Sequence, residues 1–186
     1  VRYADTSGFH SDTTITTYPY RDYVINSFNK NKSFADFTRE QLAGDLLPNP
    51  TKEQKIATAY NRLNLMTQEG GAIEEEYLAK SQGDRIRATS VTWLGSTIGC
   101  AECHDHKYDP FTAKDYYAFG AFFADVRQVG AYNDLDKKGL TGGEFPPVMR
   151  VNDPDIQKAI GPKYAQLHQL NQDIKKIKLG TPPQTI

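Results

Sequence analysis

The chain has only two cysteines. They stand three positions apart, and a histidine follows the second: Cys100-Ala101-Glu102-Cys103-His104. No other feature limits the fold as tightly. Two thiols at this spacing can reach the two vinyl groups on one edge of a porphyrin, and the next residue then lies under the iron as an imidazole ligand. The pentapeptide therefore predicts one covalently attached haem c, held through Cys100 and Cys103, with His104 as the proximal iron ligand. Covalent attachment keeps the cofactor even where a small domain cannot wrap it. The same residues have other uses. Cys-x-x-Cys is also a redox-dithiol spacing, although the strand-then-helix setting of a thioredoxin-like site is missing. Structural zinc takes four ligands, usually as two such pairs, and His106 would have to join Cys100, Cys103 and His104 in one short run. A chance match and a pair of buried free thiols complete the alternatives.

The iron face opposite His104 decides what such a haem does. A His or Met there gives a low-spin electron carrier, and an open position allows small-molecule chemistry. Met66, on the segment before the haem helix, is the first candidate for the distal ligand. Met149, His10 and His168 are further candidates. His106, two residues past the proximal ligand, is badly placed to reach across, but it can line a haem edge or hydrogen-bond elsewhere. Asp105 and Asp109, with Lys107, either orient the proximal imidazole and meet the propionates or are solvated loop charges. Calcium would need about six to eight oxygen ligands, and the sequence does not identify them. Trp93, Leu94 and Ile98 before the motif, with Tyr116, Tyr117, Phe119 and Phe122 after it, can wall a haem or form ordinary core.

At 186 residues the chain is about one domain long. Eleven Tyr, nine Phe and one Trp give it enough apolar bulk for a core. With 22 basic and 23 acidic residues, charge gives no case for nucleic acid or an anionic membrane. No stretch approaches the roughly 20 apolar residues of a membrane helix. The chain starts at Val1 without the charged and apolar regions of a secretory leader. Its last helical pattern runs out near Leu179, in the loop-like Gly180-Thr181-Pro182-Pro183. A piece of a longer chain is the expectation.

Periodicity predicts a mainly α fold with long loops. Residues 1–17 are polar and read as irregular. A first helix begins near Tyr20, with Tyr23, Val24, Ser27 and Phe28 at helical spacing. Ser33 is an N-cap for a second helix, with Phe34, Phe37, Gln41 and Leu42 on one side, ending near residues 45–47. Thr51 and Gln54 form a capping-box pattern for a third, through about Asn61, striped by Ile56, Ala59, Tyr60 and Leu63. Gly70-Gly71 is a break. Glu74, Glu75 and Glu76 then suit the positive first turn of a helix expected to reach Ile98, with Gly83 inside it at a cost of ~1 kcal/mol. Another helix is expected over residues 113–126. Residues 127–150 read as Gly- and Pro-containing loop. Asp153 and Pro154 open a last helix striped by Ile156, Ile160, Leu167, Leu170, Ile174 and Ile177. The expected division is a haem-binding domain over 1–126, a connection over 127–152, and a helical start of a linker or following domain over 153–186.

Together these blocks resemble a known family. Gly99-Cys-Ala-Glu-Cys-His-Asp-His-Lys-Tyr-Asp-Pro110, with Asp115-Tyr-Tyr117 and Phe122-Phe123, is similar to the planctomycete-type cytochrome domain. So are Arg2-Tyr-Ala-Asp-Thr6 (with its inner Asp5), Tyr20-Arg-Asp-Tyr-Val-Ile-Asn26, Glu40-Gln-Leu-Ala-Gly-Asp-Leu-Leu-Pro48, Ile56-Ala-Thr58, Glu69-Gly-Gly71, Asp84-Arg85 and Trp93-Leu-Gly95. The resemblance spans roughly residues 2–126 and is poor from Arg127 onward. It implies an irregular helical c-type cytochrome domain of a large exported protein, periplasmic or at the cell surface. A second long domain of unknown function would follow it, and some relatives carry another cytochrome or carbohydrate-binding module. The haem residues carry over to Cys100, Cys103 and His104. The family brings no established substrate.

Three functions follow as expectations. The first is an electron-transfer module working with a redox partner protein and the remainder of its own chain. The second is a haem enzyme, peroxidase- or oxidase-like, in which His10 or His106 acts as the distal base. The third is a haem-stapled structural or binding module of a cell-surface assembly.

Overall fold

The computed structural model describes residues 2–10, 12–128, 149 and 154–180. Among the described residues there are helices and short 3-10 turns, two isolated β-bridges and no strand. The chain divides into two compact units, Val1–Val148 and Met149–Ile186.

In the first unit the opening segment is irregular, as expected. It is tied down by an antiparallel bridge between Thr6 and Thr14 and a parallel one between Gly8 and Met66. Helix α1 (Tyr18–Asn29) follows, with Pro19 in its first turn, where a missing N–H costs nothing. Helix α2 (Phe34–Ala43) is capped by Ser33, whose Oγ accepts the Asp36 N–H at 3.1 Å. Helix α3 (Lys52–Ala57) begins with the expected capping box between Thr51 and Gln54. The helical path continues to Arg62, but the stretch Thr58–Arg62 tightens to a 3-10 turn.

These helices enclose an aromatic core of Tyr20, Tyr23, Val24, Ala57, Tyr60 and Leu63, backed by Phe37 and Trp93. Its tyrosines need partners for their hydroxyls, because a buried polar group left unpaired costs about 1–3 kcal/mol. Tyr20 donates to Gln41 Oε1 at 2.6 Å, and Tyr23 to Glu40 Oε2 at 2.8 Å. Glu40 also receives Lys32 and, at 3.3 Å, Gln54. Burial alone would raise the Glu40 carboxyl, but the hydrogen bonds from Lys32, Tyr23 and Gln54 together outweigh it and hold the carboxyl below its ordinary value. Burial is also the main reason both tyrosine hydroxyls stay protonated far above the usual range.

Helix α4 (Glu74–Leu94) opens with Glu74, Glu75 and Glu76, as the dipole argument requires. It stops four residues earlier than the sequence pattern suggests. Gly95 takes φ +61°, a left-handed conformation natural to glycine, and its N–H returns to the Ser90 carbonyl. Ser96 N–H reaches the same carbonyl at 3.0 Å, which closes the helix end. Helix α5 (Ala113–Gly120) is also shorter than expected, giving way to a 3-10 turn over Ala121–Phe123.

Helices α4 and α5 cross closely because each offers a glycine. A Cβ on Gly83 would lie 3.0 Å from the Tyr116 hydroxyl, and one on Gly120 would lie 3.0 Å from Ile86 Cδ1. The interior glycine that costs helix propensity is thus explained by what packs on it. Gln82 Nε2 donates to the Gly120 carbonyl at 2.9 Å across the crossing. A second core forms here from Ile86, Ile98, Ala101, Tyr116 and Phe123, with Phe111, Phe119 and Val126 against it. Buried Arg85 on α4 bonds the Asn61 carbonyl, Asn64 Oδ1 and Gln128 Oε1.

In the second unit, α6 (Pro154–Gly180) is a 27-residue helix that contains Pro162. Pro154 does occupy its first position, and Ile160, Leu167, Leu170 and Ile174 of the expected stripe are exposed. The N-cap Asp153, the side chains of Ile156 and Ile177, and most of the expected 127–152 connection lie outside the described residues.

Candidate functional site

The pentapeptide begins on a 3-10 turn, Ile98–Glu102, set between the end of α4 and the start of α5, with Cys103 as the turn's C-cap and His104 just beyond it. Its inner side is fixed by two buried residues, Ile98 and Ala101, which belong to the second core. Its outer side carries the chemistry. Cys100, Cys103 and His104 are all exposed, and both thiols are free. The arrangement follows from the spacing. With about three residues per 3-10 turn, Ile98 and Ala101 share the buried side, while Cys100 and Cys103 share another.

Several contacts hold the turn. Cys100 N–H donates to the Thr97 carbonyl at 3.0 Å. The Glu102 carbonyl accepts the Tyr117 hydroxyl at 3.0 Å, and the Glu102 carboxylate pairs with Arg87 on α4 at 2.9 Å. That ion pair is about half exposed and adds little stability. Burial first, and then the Glu102 carboxylate, push the Tyr116 phenol up to about 12.

His104 shows how its ring is arranged. Nδ1 lies 2.7 Å from the backbone carbonyl of Asp105. A carbonyl can only accept, so Nδ1 carries the proton and Nε2 carries the lone pair. Metal-binding histidines commonly use this tautomer, with one nitrogen anchored to a carbonyl and the other left as ligand. Two exposed thiols and an imidazole with Nε2 available are the groups by which a covalently attached haem is held, and exposed Tyr117 lies beside them, bonded to the Glu102 carbonyl. The residues fit the group. Cys100 and Cys103 would hold it, and His104 would ligate its iron.

The alternatives fare differently. Buried thiols are ruled out by the exposure of both cysteines. The zinc reading needs His106, and that side chain is turned into its own loop and only 6% exposed. Among the described residues no three His, Cys, Asp or Glu side chains gather into a metal-binding group.

Of the readings open to His106 (haem edge, base, or hydrogen bonding elsewhere), the structure shows the hydrogen bonding. Its Nδ1 accepts the N–H groups of Tyr108 (3.2 Å) and Asp109 (2.9 Å). Nε2 lies 3.1 Å from Thr97 Oγ1. Asp109 Oδ2 stands 3.6 Å from Nδ1, but a nitrogen that accepts two N–H groups holds no proton to offer it. Asp105 caps α5, its Oδ1 accepting the Ala113 N–H at 2.9 Å. Asp105 and Asp109 are exposed, Lys107 lies over the Tyr108 ring, and none of these residues forms a calcium cage.

The distal candidates are scattered. Met66 is buried, and its N–H donates to the Ser7 carbonyl at 2.9 Å beside the Gly8 bridge. His10 lies exposed in the opening segment. Met149 and His168 belong to the second unit, where His168 Nε2 contacts Gln172 at 2.9 Å.

A mainly helical domain with a solvent-facing Cys-x-x-Cys-His turn between two crossing helices is the class this chain defines. The family model PSCyt2, described as a protein of unknown function (DUF1549), matches residues 1–128. The chain belongs to that family. No curated relative and no solved structure matches it.

Proposed function

We propose that this domain carries one haem c, bound through Cys100 and Cys103 with His104 as proximal ligand, and passes electrons to or from a protein partner. The observation that carries this reading is the exposed turn, with both thiols free and the His104 ring fixed with Nε2 open. When bound, the haem would supply one-electron chemistry at its iron. The chain's own residues do the rest. Ala101 and Ile98 anchor the turn in the core, Tyr117 holds the Glu102 carbonyl, and Asp105 fixes the ring of His104. Haem c attachment implies an exported protein, periplasmic or at the cell surface.

The electron-transfer reading is favoured over a haem enzyme that uses His106 as its base, because that ring is committed on both nitrogens. Co-expression with a c-type haem maturation system tests the proposal. Haem that stays on the polypeptide after denaturation, with a reversible ferrous band, is the expected result. A wild-type chain that emerges without covalent haem overturns it. A ferrous form that binds carbon monoxide rapidly and turns over peroxide moves the function to the enzyme class.

A further inference from the structure

We propose that His106 is a positioning residue for the haem-binding segment, and that with Thr97 it forms a clasp closing residues 97–106. This rests on the haem reading and adds a residue that the pentapeptide does not contain.

The geometry runs outward from the core. Phe111 packs against the second core, and its carbonyl accepts the His106 N–H at 2.7 Å. The His106 ring meets the Phe111 ring edge-on, with centroids 6.3 Å apart. From this anchored position the ring works in two directions. On one edge Nδ1 accepts the N–H groups of Tyr108 and Asp109, which fixes the loop that follows. On the other, Nε2–H donates to Thr97 Oγ1, at 3.1 Å, immediately before the turn. Thr97 in turn accepts Cys100 N–H on its carbonyl. Both ends of the segment that bears Cys100, Cys103 and His104 are therefore joined through one side chain.

Histidine suits this position for a chemical reason. A neutral imidazole has one acceptor and one donor on separate atoms of a rigid ring. Asn can offer an acceptor to the two amides but is too short for Thr97, and Gln can reach Thr97 but leaves the amides without an acceptor. The clasp leaves the thiols and the His104 Nε2 free, so it sets their placement without occupying them.

Thr97→Val and His106→Ala are compared with the wild-type chain in the same maturation host, with Thr97→Ser and His106→Asn as conservative partners. The readouts are the haem-loaded fraction, the reduction potential, the ferrous spectrum and amide hydrogen exchange of the apo chain. Thr97→Val is expected to lower the loaded fraction about tenfold, the scale of outer-shell losses at metal sites, and to shift the potential. Its apo unfolding midpoint should stay near wild type, because Thr97 is exposed. Thr97→Ser should restore wild-type loading. His106→Asn should keep Tyr108 and Asp109 amide protection while sharing the loading defect. If both Thr97→Val and a folded His106→Ala load haem as wild type does, with unchanged potential and spectrum, the clasp has no role at the haem and the inference is overturned. If the wild type carries no haem, the haem reading fails and this inference falls with it. Protected Tyr108 and Asp109 amides in the apo chain would then mark the clasp as present but structural.

Discussion

The first unit contains two cores built on opposite principles. The core around Tyr20, Tyr23 and Tyr60 is aromatic, and its hydroxyls donate to the Gln41 amide, the Glu40 carboxylate and the Ala88 backbone carbonyl. The core around Ile86, Ile98 and Ala101 is smaller, is assembled at a glycine crossing, and has reactive side chains on its outer surface. The difference separates stability from chemistry. The first core can be satisfied only by residues it already contains, while the second leaves two thiols and an imidazole facing solvent. The tyrosine core should therefore dominate the unfolding free energy, and the second should govern how the Cys-x-x-Cys-His turn is presented.

The harshest way to break this contrast is Tyr60→Ala. Tyr60 is 2% exposed, and removing a large aromatic from such a site costs about 3–5 kcal/mol. Urea unfolding of the apo chain should show it, and a loss below 1 kcal/mol would deny the tyrosine core its leading role. Gly120→Val comes next, at about 1–3 kcal/mol, because the new side chain must push against Ile86 and Gln82. Exchange rates around residues 98–106 should rise in this variant while those of α1 stay put. Equal loosening of both regions would mean the cores are not separable.

Acid should act on the first core. The Glu40 carboxyl is held below its ordinary value in the folded chain, so its contribution is present above the unfolded value near 4.5 and is lost as pH falls below that through the folded value. Glu40→Gln should flatten this part of the stability profile, by on the order of 1 kcal/mol. A profile unchanged by the substitution would remove Glu40 from the account. The smallest effect is expected at the site itself. Replacing both Cys100 and Cys103 by Ser should change apo stability by no more than about 0.5 kcal/mol, as for other exposed positions. A larger loss would show that the thiols help hold the fold.

Local chemistry was readable in the sequence wherever neighbours alone decide it. Ser33, the Thr51 and Gln54 pair and the glutamates opening α4 were found because capping and dipole effects act within one turn. The pentapeptide was read for the same reason. The end of α4 was missed because apolar spacing continues past Leu94, whereas the left-handed Gly95 ends the helix through backbone geometry. That His106 hydrogen-bonds away from the iron was among its readings, but its partners Thr97 and Phe111 could not be named, because they meet it only once the loop closes. The Tyr23 and Glu40 pairing spans α1 and α2, and nothing in the spacing of either helix announces it. Trp93, for which haem wall and ordinary core were both open, packs with Phe37 and Tyr60 against the first core.

The glycine crossing of α4 and α5 limits how this site can change over time. The separation there is set by missing atoms, and no side chain is smaller than hydrogen. A side chain added at Gly83 or Gly120 displaces the Tyr116, Gln82 and Ile86 side chains that pack there, and can only loosen the crossing, never tighten it. Because α5 carries the Asp105 contact and the Tyr117 hydroxyl, any widening is passed to the turn that bears the cysteines. The crossing is a one-way ratchet: drift at these two positions can relax the cysteine-bearing turn, and any tightening has to arise elsewhere.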